Sequence, residues 1–222
     1  MATIIYEPPQ VKPGFPDDSG SGGGRNLVSD GGGLRALQDP PLQTAQTGIW
    51  VALGAITMSF AALTSALVVR QGTAPDWDHL ALPPTLYLNT LSLVGSSITL
   101  EFARRRIAAY ARGVESQLAV PMRWMVATLI LGLLFVAGQY AGWLQLTAAG
   151  VYLASNPNSS FFYVLTGLHA AHVLGGLLGL VYVMSKLRRS ILKRSTFAAA
   201  AQYWHFMGLL WLYLLLLLRA KV

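Results

Sequence analysis

Five apolar stretches of roughly 20 residues each constrain the fold of this chain more than any other feature of its sequence. A helix rises about 1.5 Å per residue, so each stretch is long enough to cross a hydrocarbon core about 30 Å thick. Hydrophobic residues make up 54% of the chain and charged residues 11%, whereas an ordinary soluble domain has about 25% charged residues. The sequence therefore predicts an all-α integral membrane protein, folded as a bundle of five transmembrane helices.

The predicted membrane domain covers residues 47–222, with spans at 47–69, 84–102, 122–146, 161–184 and 200–218. Residues 1–46 contain glycine-rich runs, several prolines and scattered charges without apolar periodicity. This composition is typical of a disordered tail. No apolar run follows the start of the chain at once, as it would in a secretory signal, so we expect the tail to stay in the cytoplasm.

Lysine and arginine are distributed unevenly between the predicted connections. In membrane proteins the cytoplasmic loops carry the excess of these residues. With five spans, thirteen of the sixteen basic residues lie on one side, in the tail and in the connections after the second and fourth spans. Only Arg70, Arg219 and Lys221 lie on the other side. The distribution predicts a cytoplasmic N-terminus and an external C-terminus.

The net charge of +7 does not indicate nucleic-acid binding, because the arginines lie at the ends of the apolar stretches and not on one face of a soluble fold. We therefore expect no nucleic-acid partner. Cysteine is absent, which excludes disulfides, thiolate metal sites and thiol catalysis. Histidine is left as the only common soft metal ligand.

Three histidines lie within the predicted spans. His169 and His172 of the fourth span are three residues apart and share one helix face, and His205 lies in the fifth span. Ionisable groups at this depth are costly and usually face a bundle interior. Two interpretations stay open: the imidazoles ligate a metal or haem, or they are neutral groups that hydrogen-bond to neighbouring helices or lipid. A di-haem protein would need two histidine pairs, which three histidines cannot supply.

Several other side chains in the spans are candidates for contacts between helices. Small and hydroxylated residues follow Asn89 in the second span, and such residues let helices approach closely and hydrogen-bond. Gln139 and Trp143 of the third span are interpreted in the same way. Trp204 lies near the predicted cytoplasmic boundary, where tryptophan is typical of an interfacial anchor. Glu101 precedes three arginines by one turn, which favours an interfacial ion pair over a proton-transfer role.

Four motifs follow one another along the spans. They are Leu88-Asn89-Thr90 with Ser96-Ser97-Ile98-Thr99 in the second span, Gly138-Gln139 with Trp143 in the third, Phe161 through Gly176 in the fourth, and Tyr203-Trp204-His205-Phe206 in the fifth. In this order and spacing, residues 47–219 resemble subunit III of the haem-copper oxidases, the cytochrome c oxidase subunit 3 family. The chain is most similar to the short bacterial form, which has five helices and lacks the first two helices of the seven-helix form.

The resemblance implies a non-catalytic subunit of a proton-pumping terminal oxidase in aerobic respiration, located in the bacterial cytoplasmic membrane. Such a subunit docks on subunit I, which holds the haem and copper, and its further partners are subunits II and IV and membrane lipids. It keeps subunit I active and holds phospholipids between its helices. It carries no cofactor itself and catalyses nothing alone, so its histidines are not expected to bind metal.

Two groups of site residues are expected on this basis, none of them catalytic. The candidates for packing or for a lipid cleft are Asn89, Glu101, Gln139, Trp143, His169, His172, Trp204 and His205. The candidates for binding lipid head groups at the cytoplasmic surface are Arg104, Arg105, Arg106, Arg188 and Arg189.

The chain also departs from the family pattern at two places. Many members carry an acidic residue in the helix that matches the first span, near Met58 and Phe60, but no ionisable residue occurs between Thr47 and Val69. The aspartate that follows Tyr-Trp-His-Phe in the family is missing, because Met207 and Gly208 stand there. These departures weigh against any proton-related role that depends on the two carboxylates.

Other functions are consistent with parts of the sequence. The chain could be the equivalent subunit of a quinol oxidase or nitric oxide reductase complex, because subunit III does not bind the electron donor. It could instead be a small haem-binding electron carrier with histidine ligands. A transporter would show repeated halves or broken helices, and the sequence shows neither.

Overall fold

The computed structural model describes residues 42–73, 84–114 and 117–221, and these ranges form five long helices. The helices are α1 (Leu42–Thr73), α2 (Thr85–Ala111), α3 (Ala119–Ala148), α4 (Pro157–Arg188) and α5 (Arg194–Lys221). The predicted all-α class is confirmed. The predicted tail falls outside the described residues up to residue 41, and so does most of the connection between the first and second spans.

The helices extend past the predicted spans at nearly every end, because helical hydrogen bonding continues where the sequence turns polar. The start of α4 shows the cause most clearly. The Asn156 side chain accepts a hydrogen bond from the backbone N–H of Ser159 at 2.7 Å, and the Ser159 hydroxyl accepts one from the backbone N–H of Asn156 at 3.2 Å. This capping box, with Pro157 at the first helical position, begins α4 four residues before the predicted span.

Four helices, α1, α3, α4 and α5, are long and apolar enough to cross a membrane by length and composition. Helix α2 is not among them, and its composition explains why. Its apolar residues alternate with Asn89 and a run of serines and threonines, and charged residues begin at Glu101. The structure thus supports a multi-pass membrane protein, while the span predicted at 84–102 is not identified by this criterion.

Helices α2 and α3 form an antiparallel pair that stays in contact along its whole length. Contacts occur at one end between Thr85 and Gln145, whose side chains are hydrogen-bonded at 2.9 Å. They continue to a hydrogen bond of 2.9 Å between the hydroxyls of Thr99 and Thr128. Near the other end, the rings of Phe102 and Trp124 stack with centroids 4.9 Å apart. The regular pairing keeps the two helix backbones close.

The remaining helices complete a bundle with a shared core. Helix α4 packs between α3 and α5, and α5 also lies against α2. Within the described residues, α1 packs closely only on α4 and α5. The largest buried side chains come from several helices and include Phe60, Phe135, Phe162, Trp204 and Trp211. The core therefore lies where α5 meets α3 and α4, and α1 covers one side of it.

Candidate functional site in the helix bundle

Three tryptophans donate their indole N–H groups to hydroxyl groups on other helices. Trp143 of α3 donates to Thr166 of α4 at 3.1 Å. Two tryptophans of α5 donate to α2: Trp204 to Ser96, and Trp211 to Thr90, each at 3.0 Å. A hydrogen bond of this kind stabilises a helix pair by about 0.6–2 kcal/mol inside a membrane. The hydroxylated run of the second span thus bonds across helix interfaces, as predicted.

The Trp204 side chain of α5 contacts three other helices. Only 1% of it is exposed, so it is not the interfacial anchor that its position in the sequence indicated. Besides its hydrogen bond to α2, the indole lies against two glycines. A Cβ added at Gly132 of α3 would lie 2.7 Å from the ring, and one at Gly176 of α4 would lie 3.1 Å from it. The absence of side chains at both glycines makes room for the indole.

His169 lies at the centre of a cluster of aromatic rings. The residue is fully buried, and its ring centroid lies 5.8 Å from Phe135, 5.2 Å from Trp211 and 6.5 Å from Phe60. Two of these contacts are edge-to-face, a favourable geometry for aromatic pairs. Neither ring nitrogen has a hydrogen-bond partner among the described residues. The expected hydrogen bond to a neighbouring helix is therefore not formed by His169, which acts as a packing group.

His172 is arranged differently from His169. Its Nδ1 atom lies 2.8 Å from the Leu168 carbonyl oxygen, so the ring bonds to its own helix and not to a neighbour. The link to α5 is made by the backbone instead, because the Tyr203 hydroxyl donates to the carbonyl oxygen of His172 at 3.0 Å. His205 lies apart from both, in a groove between α2 and α5. Among the described residues, no three histidine or acidic side chains are grouped so that they could hold a metal ion.

Two amides are also enclosed in the bundle. Asn89 of α2 is 4% exposed and lies directly against the backbone of Gly138 of α3, where an added Cβ would collide with its side chain. Gln139 is 1% exposed. The Oε1 and Nε2 atoms of Gln139 have no hydrogen-bond partner among the described residues, and the Nδ2 atom of Asn89 has none either. The predicted role of Gln139 as a hydrogen-bonding link is thus not seen, whereas Trp143 does form its link.

Glu101 pairs with two arginines at the end of the apolar part of α2. Arg104 donates two hydrogen bonds to the carboxylate, at 2.6 and 2.7 Å, and Arg105 donates one at 3.0 Å. The hydrogen bonds to Glu101, and secondarily the Coulomb attraction, raise the pKa of Arg104. Both arginine side chains are exposed, so the pairs contribute at most about 1 kcal/mol to stability. The predicted ion pair is present.

One end of the bundle is strongly basic. Because neighbouring helices are antiparallel, the C-termini of α2 and α4 lie beside the N-termini of α3 and α5. Basic residues collect there, and the exposed ones include Arg104, Arg105, Arg106, Arg123, Arg188, Arg189 and Arg194. The structure thus brings together the five arginines predicted to bind head groups.

A groove of about 520 Å³ runs along the surface between α2 and α5. Its walls are mostly apolar, with Leu93, Ile98 and Leu212 among the lining residues. Glu101, Arg105 and His205 also line it, so these charged or titratable groups meet in one groove. Helix α2 and helix α5 supply them from opposite sides.

The predicted site residues fall into two places. Asn89, Gln139, His169 and Trp204 are buried inside the bundle, and Trp143 and His172 are half-buried in it. Glu101 and His205 line the groove. Residues not predicted individually are the hydroxyl partners of the indoles and the glycines beside Asn89 and Trp204. The excess of serine, threonine and glycine in these spans was visible in the sequence, but the pairing of each with a partner was not.

Comparison with known proteins agrees with the motifs. The sequence model of the family described as "Cytochrome c oxidase subunit III" matches residues 56–220. A relative named "Probable cytochrome c oxidase subunit 3" from Mycobacterium leprae is 30% identical over 190 residues, which are 81% of this chain and 88% of the relative. "Cytochrome c oxidase subunit 3" from Corynebacterium diphtheriae is 34% identical over 137 residues, which are 60% of this chain and 63% of that relative. "Cytochrome c oxidase subunit 3" from Thermostichus vulcanus is 30% identical over 77% of this chain and 84% of its own. Since the match covers most of the five-helix bundle, the chain belongs to the cytochrome c oxidase subunit III family.

Proposed function

We propose that the chain is a non-catalytic subunit that stabilises the redox-active subunit I of a terminal oxidase and holds phospholipids at its surface. The observation that carries this proposal is the family match over residues 56–220, which makes partner oxidase subunits the expected neighbours. The interior supports it as well. His169 is enclosed by rings of its own chain, and Trp204 fills the space between α2, α3 and α4. Haem and copper then belong to partner subunits.

The proposed topology has five spans, with a cytoplasmic N-terminus and an external C-terminus in a bacterial cytoplasmic membrane. The contacts of α2 support the fifth span. Helix α2 pairs with α3 from Thr85 to Phe102, so any membrane that α3 crosses is also crossed by α2. The polar side chains of α2 are compatible with this position, because Ser96, Thr90 and Thr99 bond to other helices. The basic end of the bundle supports the orientation.

A topology experiment tests this arrangement. We expect a reporter fused after Val222 to be located outside the cytoplasm, because an odd number of spans separates the two termini. A second reporter, inserted at Ser190 between α4 and α5, should be cytoplasmic and serves as the control. If both reporters are found on the same side, the five-span topology is wrong.

The visible spectrum separates the proposal from the alternative of a small haem carrier. We expect the purified chain to be colourless, and His169→Leu and His172→Ala to leave the haem spectrum of a complex with subunit I unchanged. His169 loses no hydrogen bond on substitution, so any weakening of the complex should be smaller for His169→Leu than for His172→Ala. A haem band or copper signal that disappears with either substitution, while subunit I is still bound, would show that the histidine is a ligand.

The electron donor of the complex is proposed to be a cytochrome c. The relatives matched over most of this chain are named as subunits of cytochrome c oxidase, which favours this donor over quinol. Oxygen consumption by the purified complex with reduced cytochrome c, compared with a quinol, distinguishes the two.

A further inference from the structure

Three buried polar side chains have hydrogen-bonding atoms that the described part of the chain does not satisfy. They are Asn89 of α2, Gln139 of α3 and His169 of α4, which are 4%, 1% and 0% exposed. Both polar atoms of Gln139, both ring nitrogens of His169 and Nδ2 of Asn89 have no partner among the described residues. Most buried polar atoms in proteins bond to a protein group or to an ordered water molecule. These atoms therefore require partners beyond those that the described residues provide.

Gln139 and His169 lie at the same level of the bundle. On α3, Gln139 lies between Phe135 and Trp143 on one helix face, one turn from each. The ring of Phe135 contacts His169 of α4, and the indole of Trp143 donates to Thr166, one turn before His169. The glutamine is thus level with the turn of α4 that carries the histidine.

Asn89 belongs to the same level. Its side chain lies against Gly138 of α3, the residue before the buried glutamine. The next residue on α2, Thr90, accepts a hydrogen bond from Trp211, whose ring lies 5.2 Å from that of His169. The three unsatisfied side chains therefore come together from α2, α3 and α4 in one layer of the bundle interior.

Gly142 leaves space in this layer. It is buried on α3, one turn from Gln139, and a Cβ added there would have Leu86 of α2 as its nearest contact, at 3.9 Å. A methyl group would fit at that distance without a collision. Because a methyl group and a water molecule are similar in size, the space beside Gly142 can accept water.

The chemistry of the three side chains matches water. An amide offers both a donor and an acceptor, and a neutral imidazole offers one nitrogen of each kind. A water molecule can also donate and accept, and a buried one typically makes about three hydrogen bonds. An ion of either sign would be repelled by half of the groups in such a mixed set, whereas water can rotate to bond with each of them.

We propose that Asn89, Gln139 and His169 form an internal water site beside Gly142, in which bound water links α2, α3 and α4. The ring contacts of His169 remain, since water bonds to its nitrogens. His169→Leu removes the imidazole together with the water bonded to it, so its effect on the complex stays small. All these residues belong to this chain, and the site therefore does not depend on the binding of subunit I or of lipid.

A density map of the oxidase complex, at a resolution that shows ordered water, tests the proposal directly. We expect at least one water peak within about 2.7–3.2 Å of an amide atom of Gln139. A map that shows no such peak, and in which Gln139 and His169 bond to other protein groups, would overturn the proposal.

Hydroxyl-radical labelling gives an independent measurement. Irradiation of bound water produces radicals that modify adjacent side chains, even where bulk water does not reach. We expect modification of Phe135, which is fully buried and contacts His169. Trp204 is the control, because it is 1% exposed, reacts more readily with these radicals and has its N–H bonded to Ser96. If Phe135 is modified no more than Trp204, the layer holds no water and the proposal fails.

Substitution of the glutamine should remove the water. Gln139→Leu deletes both hydrogen-bonding atoms, so we expect the labelling of Phe135 to fall several-fold. Gln145→Leu makes the same change at an exposed glutamine of α3 that accepts a hydrogen bond from Thr85, and it should leave the labelling unchanged. Both variants are purified as the complex with subunit I, so only folded protein is measured.

Filling the space is the second test, and it keeps all three polar side chains. Gly142→Ala places a methyl group where the water lies and should lower the labelling of Phe135 as Gln139→Leu does. Gly95→Ala, whose Cβ would meet Leu131 at 3.5 Å, is the control at the interface of α2 and α3 and should have no effect. Labelling that is equal in the wild type, Gln139→Leu and Gly142→Ala would show that the radicals arise elsewhere and would contradict the proposal.

Discussion

The variant Trp204→Ala is expected to destabilise the helix bundle by about 3–5 kcal/mol. The indole is 1% exposed and contacts three helices, so its removal leaves a cavity that none of them can fill alone. The hydrogen bond to Ser96 is lost as well. Retention of the subunit by the purified oxidase, measured as a function of temperature, gives the loss of stability.

Two further variants separate the causes of this effect. Trp204→Phe keeps most of the ring volume and removes the N–H donor, so it should cost only about 1 kcal/mol. Trp50→Ala makes the same substitution at a tryptophan that is 61% exposed on α1, and it should change the retention little. If Trp204→Ala is no more harmful than Trp50→Ala, the indole does not hold the helices together.

The variant Gly138→Ala is expected to push α2 and α3 apart where Gly138 lies against Asn89. The added methyl group would collide with the buried Asn89 side chain, which must rotate or push the helices apart. Overpacking of this kind costs about 1–3 kcal/mol. Gly95→Ala is the matched control in the same interface, because its Cβ would meet Leu131 at 3.5 Å, an ordinary contact distance. The stability of both variants is measured as the temperature at which the subunit is released from the complex.

A double-mutant cycle tests whether the collision with Asn89 causes the loss of stability in Gly138→Ala. In an Asn89→Ala background the obstacle is gone, so adding Gly138→Ala should cost much less than it does in the wild type. Residues in contact show such coupling, at about 0.5–3 kcal/mol. Additive losses of stability would mean that the methyl group is accommodated elsewhere and that the contact with Asn89 does not set the helix distance.

The helices could be predicted from the sequence because hydrophobic length alone specifies a membrane helix. The ends could not be predicted equally well, since they depend on local hydrogen bonds. The capping box at Asn156 was readable from its sequence, yet the prediction began the span at Phe161, where the apolar run starts. For α2, the apolar run predicted a span, while its hydroxyl groups lower the apolar content that identifies one.

The sequence predicted which residues belong to the candidate site, but it did not predict how these residues contact one another. His169 and His172 share a helix face, but only the packing of α3 and α5 decides that one is enclosed by rings and the other bonds to its own helix. Trp204 was expected at the membrane surface because tryptophan often lies there. Its burial depends on glycines more than 25 residues distant in the sequence, at Gly132 and Gly176. Such pairings are properties of the assembled bundle.

In the part of the chain that the structure describes, α1 packs on α4 and α5 and on no other helix, and this arrangement sets an order for biogenesis. Helices α2 and α3 are adjacent in the chain and can pair as soon as both have been synthesised. Helix α1 is made first, but its contacts, such as that between Phe60 and His169, form only after α4 is present. A nascent chain arrested before α4 would therefore hold a paired α2–α3 hairpin and a first helix surrounded by lipid. The synthesis of the last two helices is the step that converts this open intermediate into one closed bundle.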